Sequence, residues 1–137
     1  RSPPMLYLLE TNICAYFMSR KYPPVTAKFR EHEPGDLVIS SIVAGELAYG
    51  VENSTRIESN RKSLGLFLSK LRVLPYDESA IWHFGSHKAK LKKAGAKIGE
   101  LDLLIACHAL ALGAVLVTNN TREFERIEGL RLENWVA

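Results

Sequence analysis

The chain is poor in the residues that staple small proteins together. Of its 137 residues only two are cysteine, Cys14 and Cys107, far apart, with no C-x-x-C spacing and no neighbouring histidine pattern. Neither a disulfide framework nor a cysteine zinc site is expected, and both thiols should stay reduced, as in a cytoplasm. Long apolar runs are also scarce. The stretch around Leu103 to Ala106 falls far short of the roughly 20 residues a membrane helix requires. No secretory leader is recognisable either, so a soluble cytoplasmic protein is expected. Repeats and low-complexity segments are missing. Charge is nearly balanced, at 18 Lys and Arg against 15 Asp and Glu, a formal net charge of +3. That permits a polyanionic partner without demanding one. What is present is ordinary globular composition, 47% hydrophobic and 24% charged, which suits one domain with one core. The domain is placed at residues 5–137, and Arg1 to Pro4, ahead of Met5, are read as an expression remnant or disordered tail.

Leu6 to Leu9 is a continuous apolar run closed by Glu10-Thr11-Asn12, the pattern of a strand buried on both faces. Thr11 or Asn12 is expected to cap a helix running through Met18. Pro23-Pro24 opens a second helix to about Glu33, and Pro34-Gly35-Asp36 reads as a turn. Leu37 to Ile39 is then a strand, and Ser40-Ser41 caps a helix that carries Glu46. Further helices are expected over Glu58 to Leu71 and from Asp77 towards Lys93, with a brief strand at Arg72 to Pro75 between them. Leu101 to Leu112 is an apolar helix ended by Gly113, with Asp102 in its first turn. Ala114 to Val117 is a strand, Thr118 to Thr121 a polar loop, and Arg131 to Leu132 a last short strand.

Strands alternating with helices predict an α/β domain: a central, mostly parallel sheet between two helical layers, α/β/α. In such sheets ligands bind beyond the carboxyl ends of the strands. Glu10 follows the first strand, Thr118 to Asn120 follow a late one, and the helices bearing Glu46 and Asp102 start near the same edge. Taken singly, these acids have ordinary explanations: a surface acid at a strand end for Glu10, a solvated helix residue for Glu46, a helix-dipole partner for Asp102. Together they would repel one another unless a cation or a proton intervened. A divalent cation held by carboxylates polarises a phosphate and acidifies a water, which is the chemistry of phosphodiester cleavage.

Four segments occur in order: L-L-E-T-N at 8 to 12, S-S-I-V-A-G-E-L at 40 to 47, I-G-E-L-D-L-L-I-A at 98 to 106 and V-T-N-N-T-R-E-F at 117 to 124. Together they resemble the PIN-domain ribonucleases, specifically the VapC toxins of type II toxin–antitoxin pairs, and the resemblance runs from Met5 over nearly the whole chain. It implies a PIN-like fold and an Mg²⁺-dependent endoribonuclease, with Mn²⁺ as a substitute, that cuts structured RNA such as tRNA and so arrests translation. It also implies a VapB-type antitoxin and a toxin homodimer. On this resemblance Glu10, Glu46 and Asp102 are the catalytic acids, with Glu10 and Asp102 holding the metal. Asn119 and Asn120 fall where relatives place a further acid or amide, and one of them would position water or RNA. Thr11 is either a helix cap or a residue that orients water. The motif departs from the family at Glu10, where the usual residue is Asp. The extra methylene predicts reduced activity, since a displacement of about 1 Å in a catalytic constellation costs on the order of 10²-fold.

Several residues keep two readings. Lys88, Lys90, Lys92, Lys93 and Lys97 are a solvated helix face or a phosphate-steering rim beside the acids. Trp82, Phe84, Phe67 and Leu71 pack helices or form a dimer contact. Glu100 is read as a surface or antitoxin-facing residue, and Trp135 as an anchor for the chain end. The histidines His32, His83, His87 and His108 are read as scattered, with none a metal ligand. Two other functions compete with the nuclease. A catalytically silent subunit that binds antitoxin or RNA would accommodate Glu10. An Mg²⁺-binding phospho-receiver domain would need paired acids after the first strand and a lysine after a late strand, and neither is evident.

Overall fold

Five short strands form one sheet in the computed structural model, which describes residues 5–136. The expected tail Arg1 to Pro4 lies outside the described residues. The strands are β1 (Tyr7–Leu9), β2 (Leu37–Ser40), β3 (Arg72–Leu74), β4 (Val115–Val117) and β5 (Arg131–Glu133), in spatial order β3-β2-β1-β4-β5. Every pairing is parallel, with Leu8 opposite Val38 on one side and Leu116 on the other. All residues of β2 and β4 are buried, so these strands are covered on both faces.

The connecting helices are α1 (Thr11–Ser19), α2 (Pro23–Arg30), α3 (Ser41–Glu52), α4 (Ile57–Ser69), α5 (Ile81–Lys93), α6 (Glu100–Leu112) and α7 (Thr121–Phe124). The result is the three-layer α/β/α arrangement anticipated from the sequence, with a sheet that is wholly parallel. Its core gathers Leu8, Leu9, Ile39, Ile105, Leu116, Phe124 and Trp135, all essentially inaccessible. The chain lays β1, β2 and β3 outward in one direction and then places β4 on the opposite side of β1. The order therefore reverses between β1 and β4, the point beyond whose strand ends open parallel sheets place their ligand crevice.

Local chemistry explains most element boundaries. The Ser40 hydroxyl accepts from the Ile42 N–H at 3.0 Å and caps α3. Gly113 ends α6 at φ +65°, a left-handed conformation that costs glycine nothing. Three expectations need correction. The N-cap of α1 is neither Thr11 nor Asn12 but Glu10, whose carboxylate accepts from the Asn12 N–H. Residues 118–121 are not simply a loop, because Thr121 begins α7. Asp77 caps a single 3₁₀ turn, Glu78–Ala80, that precedes α5 instead of capping α5 itself. Of the residues read as helix packing or dimer contact, Phe67 belongs to the core, whereas Trp82 is 83% exposed.

Candidate active site

The crevice between β1 and β4 is built from residues just past the two strand ends. Glu10 extends the β1–β4 ladder by one hydrogen bond, its N–H reaching the Val117 carbonyl at 3.0 Å. Its side chain is 5% exposed. One carboxylate oxygen accepts from the Asn12 N–H at 2.5 Å and the other from the Thr118 hydroxyl at 3.2 Å. Burial pushes its pKa up most strongly; the two hydrogen bonds oppose that, and the charges of Glu46 and Glu123 add to it. Thr118 is itself buried and also accepts from the Asn120 N–H at 3.0 Å, so it fixes the acid and the turn together.

Glu46 enters from α3, where Thr11 donates its hydroxyl to one carboxylate oxygen at 2.6 Å. Asp102 enters from the first turn of α6 and is half-buried. Its pKa is pushed up to about 7, first by desolvation, then by the neighbouring Glu123, which also shares a hydrogen bond with it, and then by the charges of Glu10 and Glu46. The charges of Glu10 and Glu46 thus both reach Asp102, and that of Glu46 reaches Glu10. The structure brings them together across β1, α3 and α6.

Glu123 is a fourth member, and nothing in the spacing of the first three points to it. It lies inside the T-N-N-T-R-E-F segment, where an acid directly precedes the buried Phe124. The short α7 turns it back towards Asp102. It accepts from the Gly99 N–H at 3.1 Å and from the Asn120 side-chain amide at 2.6 Å, which ties α7 to the start of α6. Asn119 instead donates to the Tyr16 hydroxyl at 3.2 Å. The two asparagines therefore have different neighbours: Asn120 sits on the acid cluster, Asn119 on α1. Glu100 points away, exposed and paired with Lys88 at 2.7 Å. The remaining lysines of that stretch are all exposed.

A hard divalent cation fits this donor set. All its side chains are oxygen donors, and the pKa values of Glu10 and Asp102 are raised first by burial and further by the neighbouring carboxylates, a cost that a cation would offset. Among the described residues no three His, Cys, Asp or Glu side chains are arranged to enclose an ion.

A parallel α/β sheet with an acid cluster at its switch point describes a class, and sequence comparison names it. The PIN-domain family model matches residues 7–130, and the chain belongs to that family. Its relatives include ribonuclease VapC2 of Haemophilus influenzae, 45% identical over 130 residues that cover 95% of this chain and 98% of that protein. A tRNA(fMet)-specific endonuclease VapC of Shigella flexneri is 42% identical over 129 residues, covering 94% and 97%. Among solved structures, VapBC2 from Rickettsia felis bound to a DNA fragment from its promoter contains a chain matching at a TM-score of 0.90 and 40% identity, over 96% and 99% of the two chains.

Proposed function

We propose that the protein is a metal-dependent endoribonuclease, the toxin of a type II toxin–antitoxin pair, acting in the cytoplasm on structured RNA of the tRNA class. The observation that carries this reading is the meeting of Glu10, Glu46, Asp102 and Glu123 at one strand-end crevice, with Asp102 pushed up to about 7. Relatives named as VapC ribonucleases, one of them tRNA(fMet)-specific, support the reaction and the substrate class. Neighbours solved as VapBC complexes support a VapB-type antitoxin partner. A homodimer follows from the same family reading.

Glu10 and Asp102 would hold the cation, Mg²⁺ or Mn²⁺, with Glu46 and Glu123 beside them. When bound, the cation supplies Lewis-acid polarisation of the scissile phosphate and acidification of the attacking water. The chain's own residues supply orientation. Thr11 fixes Glu46, Thr118 and the Asn12 N–H fix Glu10, and Gly99 and Asn120 fix Glu123. Pre-set hydrogen bonds of this kind spare the reaction the cost of aligning its carboxylates.

A second reading, a silent subunit that only binds antitoxin or RNA, draws on Glu10, because both oxygens of its longer side chain are engaged by the protein. Cleavage of total tRNA in Mg²⁺ separates the two. The nuclease reading expects cleavage that chelator abolishes and that Asp102→Asn lowers by about 10²- to 10³-fold. Cleavage indifferent to both treatments would overturn the mechanism, and no cleavage by the unmodified protein would favour the silent subunit.

A further inference from the structure

Away from the acid crevice, α5 carries a second set of metal-ligating side chains. His83 and His87 stand four residues apart on this helix. Residues at that spacing project from one face with Cβ atoms roughly 5–6 Å apart. The spacing corrects the expectation that the histidines are scattered. Among the described residues, neither ring takes part in a side-chain hydrogen bond, and neither has a buried nitrogen left without one. His87 is 9% exposed and His83 half-buried, so the pair lines a partly sheltered strip of the helix.

The surroundings suit a cation that prefers imidazole. Burial, helped by Lys90 and His83, holds the His87 pKa below its ordinary value, and the neutral imidazole is the form that ligates a metal. Glu128, from the turn between α7 and β5, contributes a negative charge to the same spot. Lys90 opposes it with a positive charge one turn further along the helix.

We propose that His83 and His87 form a two-histidine site for a transition-metal dication of the Zn²⁺, Ni²⁺ or Cu²⁺ class. Two imidazoles one helical turn apart chelate such ions, while Mg²⁺ prefers the oxygen donors of the crevice. With two protein ligands and water filling the other positions, the site is open and exchangeable, unlike a closed structural zinc site. It sits on the helix that packs against α6, the helix bearing Asp102, yet it uses none of the acids assigned to RNA cleavage.

Calorimetric titration of the full chain with Ni²⁺ at pH 7.5, in saturating Mg²⁺ to fill the carboxylate crevice, tests the proposal. One binding event is expected. His83→Gln and His87→Gln should each weaken it by roughly 10²-fold, the advantage lost when a chelating pair becomes a single ligand. Thermal melting of each variant establishes that it is folded, and the less buried His83 gives the decisive variant. Absence of Ni²⁺ binding under these conditions, or an affinity unchanged in folded His83→Gln, would overturn the site.

Discussion

The two ends of strand β1 have opposite characters. At its start, Tyr7 packs against His32 and Trp135 with ring centroids 4.3 and 5.9 Å away, and Phe29 joins from α2 at 5.7 Å from Trp135. Just past its other end, Glu10 is buried among like charges. One end gains from apolar and aromatic burial, the other gives up stability to keep carboxylates close together. The difference teaches that the same rigid sheet serves both: strong packing at one end holds in place a constellation that would otherwise spread apart.

Removing the aromatic anchor should have the largest effect. Trp135 is 1% exposed, stacks on His32 and donates its indole N–H to Glu133 at 2.9 Å. Trp135→Ala should cost about 3–5 kcal/mol in urea unfolding, with Mn²⁺ affinity unchanged in the protein that remains folded. A parallel loss of cation binding would show that the two ends are not separable.

At the acid end, Glu10→Asp shortens the side chain by one methylene. Single-turnover tRNA cleavage should rise by up to about 10²-fold, while the melting temperature moves little because Asp is a favoured helix cap. Unchanged cleavage would mean that the longer side chain does not misplace the site. Acidity gives a smaller and graded contrast. The Asp102 pKa rises from 3.8 to about 7 on folding, so between those values the native state keeps a proton that the unfolded chain has released. The stability tied to this group therefore falls as pH rises through that window, and Glu10, also raised, acts in the same sense. Melting temperatures of the metal-free protein from pH 4.5 to 7.5 should show this slope, and Asp102→Asn should flatten it. Mn²⁺ at pH 7.5 should recover stability by binding the charged, folded form.

Much of the fold was legible because buried parallel strands announce themselves as short apolar runs: Leu6 to Leu9 and Ala114 to Val117 each contain an observed strand, and Leu37 to Ile39 falls one residue short of one. Ser40 and Gly113 marked helix boundaries through their own capping chemistry. The meeting of Glu10, Glu46 and Asp102 was legible only by combining strand ends with the family motifs, since no local pattern joins residues so far apart. Glu123 escaped because a four-residue helix leaves almost no periodicity. Thr118 was placed at the right strand end, but its bond to Glu10, 108 residues away, leaves no local signal. The Glu10 cap was hidden for a different reason: glutamate is not among the residues that usually cap helices, and only the fold shows its carboxylate reaching the Asn12 N–H.

The smallest expected effect belongs to Thr11, where the sequence left a helix cap and a positioning role equally open. With Glu10 occupying the cap, the Thr11 hydroxyl is turned to Glu46 at 2.6 Å. Valine keeps the branched shape and removes only that hydrogen bond, so Thr11→Val should change stability by less than about 1 kcal/mol. Its mark should fall on kcat, lowered by up to about tenfold, with KM unchanged, because a freed Glu46 carboxylate must be realigned in each turnover. A rise in KM at constant kcat would instead make Thr11 a contact for RNA. A loss of stability with both kinetic constants intact would return it to a purely structural part of α1.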